Sequence, residues 1–265
     1  RGTMLGPLLD QFRKALAAQE RGSRLVGEVG LRRNGEALSI VVPQARLTGG
    51  SGQDLFSLSR FQLVTASPAG PPLLAGNFAT AGAGLPRIVG RLEQGRAGQA
   101  LFRLTMAPWR EGANSLAIPE LMVAQVTDGS IGFSGLAKVS GAIPGGTVQN
   151  LEVPLAGSLD AKGQLALWKR CIQPRFERIA LGTAVFDRAA INLCPSEGYA
   201  IVKSGRDGLR IAARADGLAL TGRVGESPLA LSTGAISLGY PGTLRAAAVD
   251  VRLGTDAAAS RIRVA

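Results

Sequence analysis

The sequence predicts an all-β protein with one N-terminal helix. Period-two alternation of apolar and other side chains dominates after about residue 25, which is typical of strands that bury one face. Glycine and proline are frequent, at 36 and 14 of the 265 residues, and they indicate many turns rather than long helices. Together these observations favour a meander of roughly a dozen short strands.

Residues 4–20 carry the helical periodicity. Apolar residues recur there at spacings of three and four, namely Leu5, Leu8, Leu9, Phe12 and Leu16. Pro7 suits the first turn, and Arg21-Gly22 suits the end. A helix with one apolar face usually packs on its own domain. Docking to a membrane surface or a partner is the alternative.

Turn residues separate the alternating runs. Asn-Gly, or Asp followed closely by Gly, occurs in segments 33–36, 160–163, 206–208 and 215–217. Such steps between alternating runs are the strongest short-range signal for a hairpin. We therefore expect a hairpin at each of these four places.

Three segments end in an aliphatic-x-aliphatic-Pro pattern, at Pro43, Pro119 and Pro154. Proline cannot donate a hydrogen bond to a β-ladder, so we expect each of them at a strand end or on an edge. Pro144 and its glycines also suggest a soft boundary near 141–146, within one β domain that spans 25–265.

The absence of histidine limits the chemistry of the chain. It excludes Ser-His-Asp and Cys-His catalysis and every His-ligated metal site. The acidic residues form no convincing catalytic pair. The sequence therefore predicts no catalytic residue, no metal site and no cofactor, and it favours a protein that is not an enzyme.

The charge balance points to an anionic partner. Lys and Arg number 30 against 19 Asp and Glu, which gives a net charge of +11. Anionic lipid, nucleic acid and an acidic envelope polymer all fit this excess, and a biased base composition of the genome is the plain alternative. The basic residues form no run of five, which argues against nucleic acid.

The two cysteines, Cys171 and Cys194, each lie beside an extended apolar run. A disulfide between them would stabilise the fold by about 3 kcal/mol through loop entropy, and it would require an oxidising compartment such as a periplasm. With no other metal or nucleophile partner, a disulfide is favoured. Two buried reduced thiols are the alternative.

The apolar content is aliphatic, since 46% of residues are hydrophobic and only 5% aromatic. A sheet of this composition has a wide apolar face to cover. The face can pack on a second sheet as a sandwich, or it can curl around a groove that holds acyl chains. Composition leaves both arrangements open.

Several segments carry a resemblance to a known family. Segment 171–181 joins a cysteine to an Arg-Phe-x-Arg-aliphatic run, and 191–198 holds a Leu-Cys-Pro-x-x-Gly turn. With 75–86, the Ile-Pro-Gly-Gly turn at 143–146 and Tyr-Pro-Gly at 240–242, they resemble the YdbH/TamB-type branch of the AsmA-like superfamily. The resemblance covers most of the chain after about residue 25.

The resemblance implies both a shape and a function. Members of this superfamily are envelope proteins of Gram-negative bacteria whose elongated, curled, antiparallel-rich sheet forms an open groove, a β-taco. The groove is thought to carry phospholipid between the inner and outer membranes. The chain would then be a periplasmic slice of a parent anchored to the inner membrane, with phospholipid or another anionic lipid as its partner and no nucleic acid.

Alternating positions of the predicted strands would line such a groove. The residues that we expect there are Leu38, Ile40, Val42, Phe102, Leu104, Met106, Ile118, Leu121, Val153, Ile211, Leu218, Leu220, Val249 and Val251. The alternative to a lipid conduit is a β-rich envelope scaffold with a closed core and no lipid, which docks through its edge strands. Exposed edges also predict that copies of the chain pair with one another.

Overall fold

A computed structural model describes residues 5–65, 73–94, 99–125, 129–196, 198–206, 208–255 and 258–264. Within these ranges the chain forms one helix and 22 strands. The prediction of an all-β, antiparallel fold with an N-terminal helix is confirmed. The chain divides into two compact parts, the N-terminal unit Leu5–Gly135 and the C-terminal unit Leu136–Ala265.

The N-terminal unit is a meander. Each strand from β3 onward pairs with the next along the chain, while β1 and β2 both pair with β3 as one interrupted strand. Its elements are α1 (Leu5–Glu20), β1 (Arg24–Gly27), β2 (Gly30–Asn34), β3 (Ala37–Thr48), β4 (Asp54–Thr65), β5 (Leu73–Thr80), β6 (Ile88–Gln94), β7 (Ala100–Glu111) and β8 (Asn114–Gln125).

Helix α1 packs on its own unit. Phe12 meets the ring of Trp109 edge to face at a centroid distance of 6.2 Å, and Leu8 is fully buried. Trp109 Nε1 donates to the carbonyl oxygen of Gly84 at 3.0 Å, and Ser51 Oγ donates to Gln19 Oε1 at 2.7 Å. These contacts tie α1 to the connections β3–β4 and β5–β6, which lie at the same end of the meander.

The C-terminal unit continues the antiparallel pattern, and the first residues of its strand β9 belong to the N-terminal unit. Its strands are β9 (Ile131–Ile143), β10 (Gly146–Leu159), β11 (Leu165–Leu167), β12 (Arg175–Leu181), β13 (Ala184–Ala190), β14 (Cys194–Pro195), β15 (Val202–Gly205), β16 (Gly208–Ala215), β17 (Leu218–Val224), β18 (Ser227–Thr233), β19 (Ile236–Tyr240), β20 (Leu244–Ala246), β21 (Val249–Leu253) and β22 (Ser260–Val264).

Many of these strands are segments of longer ones. Strand β16 runs on into β17, and β18 runs on into β19. The pairs from Val224↔Ser227 to Ile211↔Tyr240 therefore form one ladder with no change of register. Strands β20 and β21 likewise follow β19 and β18 in one register. The expectation of about a dozen strands is therefore wrong, because interruptions divide long strands into several pieces.

The interruptions lie side by side. Ladder pairing stops at 216–217, at 234–235 and at 247–248, which are neighbouring positions on three adjacent strands. Two backbone bonds remain there, from the Gly234 amide to the Ala247 carbonyl oxygen at 2.8 Å and from the Ala247 amide to the Ala235 carbonyl oxygen at 3.0 Å. We call this line across the strands the crease.

Three of the four predicted hairpins are present. They are closed by the pairs Asn34↔Ala37, Leu159↔Leu165 and Gly205↔Gly208, although Asp207 itself lies outside the described residues. The fourth prediction, at 215–217, is wrong. Because β16 and β17 share one ladder, Asp216-Gly217 interrupts a strand instead of reversing it.

The expectation that the three prolines lie at strand ends is wrong, because each lies inside a strand. Pro43 and Pro119 lie within β3 and β8, and Pro154 lies within β10. Each occupies an irregular point where no amide has to be donated. In the β3–β4 ladder the residues on both sides of Pro43 are paired, but Pro43 is not. The β7–β8 register shifts beside Pro119. Around Pro154, strand β10 changes its partner from β12 to β11. Bulges and ladder gaps accept proline for this reason.

The cysteines face each other beside an isolated antiparallel bridge. Ile172 and Leu193 exchange both backbone hydrogen bonds, at 2.7 and 2.9 Å. The next pair, Cys171 and Cys194, therefore occupies a non-hydrogen-bonded position, where opposed side chains come closest. The two are joined by a disulfide, as predicted.

Replacing both cysteines, as Cys171→Ser with Cys194→Ser, should lower the free energy of unfolding by about 3 kcal/mol. The disulfide restricts the unfolded chain, and its loss frees the segment between residues 171 and 194. Urea denaturation with and without a phosphine reductant measures the effect. The reductant should destabilise the wild type and leave the double variant unchanged, and an equal response of both proteins would contradict the assignment.

Candidate functional site

The N-terminal unit has one apolar face. Strand register brings small and apolar side chains of seven strands into one line, which we call the central row: Gly27, Ala45, Leu58, Phe78, Gly90, Leu104 and Leu121. The row takes six steps between strands, and at about 4.8 Å per step it is about 29 Å long. Its members share a face because register pairs lie on the same side of a sheet.

Further apolar rows flank the central row on the same face. On one side lie Leu25, Leu47 and Phe56, with Met106 and Ile118 farther along; on the other lie Leu92, Phe102 and Val123. Beyond these, Leu31, Ile40, Leu63 and Leu74 form another line. We call the whole surface the apolar face.

Local irregularities keep the apolar face continuous. Arg60 has a φ of 52°, and the β4–β5 register shifts by one residue between Ser59 and Gln62. This bulge turns Phe61 and Leu63 to the face that already carries Phe56 and Leu58. The register shift of β8 between Ile118 and Leu121 has the same effect.

Small residues make room for large ones in the central row. The ring of Phe78 lies directly over Gly90, where a Cβ atom would clash with it. Gly27 stands against Ala45 in the same way. Glycine is required at these positions by close approach.

Most of the apolar face is half-buried. Leu58, Phe78, Leu104 and Leu121 all keep part of their surface accessible, whereas Met106 is only 6% exposed. The opposite face of the same strands is mixed and carries the charged side chains. Arg91 and Arg103 both pair there with Glu93, at 3.3 and 3.2 Å, and Arg46 pairs with Asp54 at 3.4 Å. The meander therefore keeps these ion pairs on the side opposite to the apolar face, which we call the charged side.

The structure places eight of the predicted groove residues together on the apolar face. These are Leu38, Ile40 and Val42 on β3, Phe102, Leu104 and Met106 on β7, and Ile118 and Leu121 on β8. The prediction missed Phe56, Leu58, Phe78 and Leu92 on the intervening strands. The alternation of Phe56 and Leu58 was a usable signal for β4.

The other six predicted residues lie in the C-terminal unit. A buried cluster forms there from Val148, Phe176, Phe186 and Leu229, and Leu220 and Val251 pack against it. By alternation, Leu218 lies on the same face as Leu220, and Val249 lies on the same face as Val251. Val153 likewise lies on the same face as Leu151, which also packs against the cluster. Ile211 lies apart from the cluster, on β16 beside buried Ala213.

Ion pairs occupy the charged side of the C-terminal unit. Lys138 Nζ donates to Glu152 Oε1 at 2.6 Å, and this bond lowers the pKa of the Glu152 carboxyl below its ordinary value, with Arg175 adding to the effect. Asp250 accepts from Arg261 and Arg263, and the pKa of its carboxyl is likewise lowered, first by the hydrogen bond from Arg261.

Among the described residues, no helix combines the length and the apolar character that crossing a membrane requires. The same ranges hold no group of three or more cysteine or acidic side chains placed to bind a metal ion.

The fold and the apolar face define a class: an all-β protein whose antiparallel meander presents a long apolar surface opposite a charged one. The chain belongs to the YdbH-like family, described as intermembrane phospholipid transport protein YdbH, whose model matches residues 1–264. This is a family of lipid transport proteins and not of enzymes. Comparison with curated proteins and with solved structures gave no significant match.

Truncation should separate the half-open apolar face from the buried cluster. Leu104→Ala should cost about 1–2 kcal/mol of unfolding free energy, since only part of the side chain leaves water on folding. Phe176→Ala should cost about 3–5 kcal/mol, because it leaves a cavity around a ring that is 2% exposed. Urea denaturation measures both, and a cost for Leu104→Ala as large as that for Phe176→Ala would contradict a half-open face.

Proposed function

We propose that this chain is a non-enzymatic segment of a lipid bridge, and that phospholipid acyl chains lie on the apolar face while they move between membranes. The observation that carries the proposal is the central row, in which seven strands place small and apolar side chains in one uninterrupted line. The family, one of intermembrane phospholipid transport, supports it.

The energetics of the apolar face suit transport. Each buried CH₂ group of an acyl chain contributes about 0.8 kcal/mol, so contact with Leu58, Phe78 and Leu104 favours binding without any polar anchor. The length of the row, about 29 Å, is close to the hydrocarbon thickness of a bilayer. A row of small and apolar residues offers many acyl positions at similar energy, which permits sliding.

We further propose that the chain acts in the periplasm, within a parent protein anchored in the inner membrane of a Gram-negative bacterium. The disulfide between Cys171 and Cys194 supports an oxidising compartment. Transport between two membranes, as the family description has it, fits the space that separates them.

Site-specific photocrosslinking tests the lipid proposal. p-Benzoyl-phenylalanine at Leu104, on the apolar face, should capture phospholipid in cells, and mass spectrometry of the purified protein should detect the adduct. The matched control is the same group at Arg103, the adjacent residue, which points to the charged face of β7. A ratio of adducts of at least tenfold in favour of Leu104 is expected.

Absence of adducts at Leu104, or equal capture at both positions, would contradict the proposal. A protein that also folds normally and copurifies without lipid would instead support the alternative, an envelope scaffold with a closed core. The buried cluster of the C-terminal unit is the observation that favours this second candidate.

We also propose that copies of the chain pair through edge strands. Within the described residues β22 pairs only with β21, and its Ile262 and Val264 are 63% and 59% exposed. Such an edge is a template for another strand. Ile262→Lys should shift the oligomer toward monomer in light scattering, whereas Val89→Lys, at a site 53% exposed on the paired strand β6, should not. A purely monomeric wild type would contradict this pairing.

A further inference from the structure

A cationic cleft lies beside the β15–β16 hairpin of the C-terminal unit. Its volume is about 500 Å³, within the range of sites that hold small ligands. Four cationic side chains line it, Lys169, Lys203, Arg206 and Arg210, together with one carboxylate, that of Asp160. All four cations are exposed to solvent.

Strand register sets two of these cations against each other. Ser158, Ala166, Lys203 and Arg210 form one line across β10, β11, β15 and β16. Directly opposed residues have Cβ atoms about 4.5–5.5 Å apart, and like charges at this position destabilise a sheet. Lys203 and Arg210 are therefore held together at a cost that a bound anion would remove.

The part of the chain that the structure describes supplies no counter-charge to this pair. On other strands of the unit, cations pair with carboxylates, as Lys138 does with Glu152. Among the described residues, no carboxylate lies within ion-pair distance of the four cleft cations. Asp160 is engaged elsewhere, since its Oδ1 accepts the backbone N–H groups of Lys162 and Gln164 at 2.9 and 2.8 Å.

The floor of the cleft is open and firmly held. Ala166 and Ala212 have side chains too small to fill it. Ile201, which is 4% exposed, donates its amide to the Trp168 carbonyl oxygen at 3.1 Å and accepts from Ala212 at 2.8 Å. These bonds fix the strands that carry the cations.

One aromatic ring completes the wall. Tyr199 is 57% exposed, and Lys203 Nζ lies 5.0 Å from the centre of its ring. A cation held over a ring face keeps its position while it remains accessible to an anion.

We propose that this cleft binds a phosphoryl group, carried either by a lipid headgroup or by a free phosphate. Arg210 can hold two phosphate oxygens with its planar fork, and Lys203 adds a compact charge. The cleft is lined by residues of the C-terminal unit and shares none with the apolar face. The proposal therefore goes beyond the transport proposed above.

Isothermal titration calorimetry tests the site on the full chain. The probes are inorganic phosphate and glycerol 3-phosphate, with flotation of phosphatidylglycerol and phosphatidylcholine vesicles as a separate arm. Lys203→Gln with Arg210→Gln should weaken binding at least tenfold. The control, Arg178→Gln with Arg223→Gln, removes the same charge from exposed sites outside the cleft and should change affinity by less than twofold.

Each outcome decides something. Binding of both soluble probes supports a free phosphate site, and binding only to phosphatidylglycerol vesicles supports a headgroup site, provided that the cleft variant loses it. No saturable binding by the wild type, or equal loss in both double variants, would overturn the proposal. Circular dichroism melts check folding, and Leu104→Glu, which impairs the apolar face, should leave phosphate binding unchanged.

Discussion

Register between antiparallel strands is the constraint on which the rest of the structure depends. A shift of one residue would turn every apolar side chain of a strand to the charged side. Leu58, Phe78 and Leu104 stay in line only because each strand keeps its register with the next strand. Where a strand gains a residue, as at Arg60, the bulge restores the facing of those that follow.

This dependence explains what the sequence could predict. Alternation along one strand is a local property, so it predicts β3 and β7. It also predicts which of their residues lie on the apolar face, namely Leu38, Ile40 and Val42 on β3 and Phe102, Leu104 and Met106 on β7. Turn residues identified three hairpins for the same reason. The hairpin predicted at Asp216-Gly217 is wrong because these two residues are typical of a turn, whereas the strands on either side of them, β16 and β17, stay in one ladder. Proline misled because ladder gaps are tertiary features that alternation does not encode.

The site divides along the same line. Membership of the apolar face could be predicted strand by strand, but its continuity could not, since Phe78 meets Gly90 only through pairings between strands. The cationic cleft had no local signal at all. Its four cations stand at positions 169, 203, 206 and 210, and only the pairing of β15 with β16 brings Lys203 opposite Arg210. The family resemblance, by contrast, rested on short segments around the cysteines and turns.

The crease has a mechanical consequence for the C-terminal unit. Three adjacent strands give up regular ladder bonds at 216–217, 234–235 and 247–248, yet the register on both sides is the same. Bending costs least along a line where few hydrogen bonds have to be distorted. The sheet can thus change its curvature at that line without any strand losing its partner.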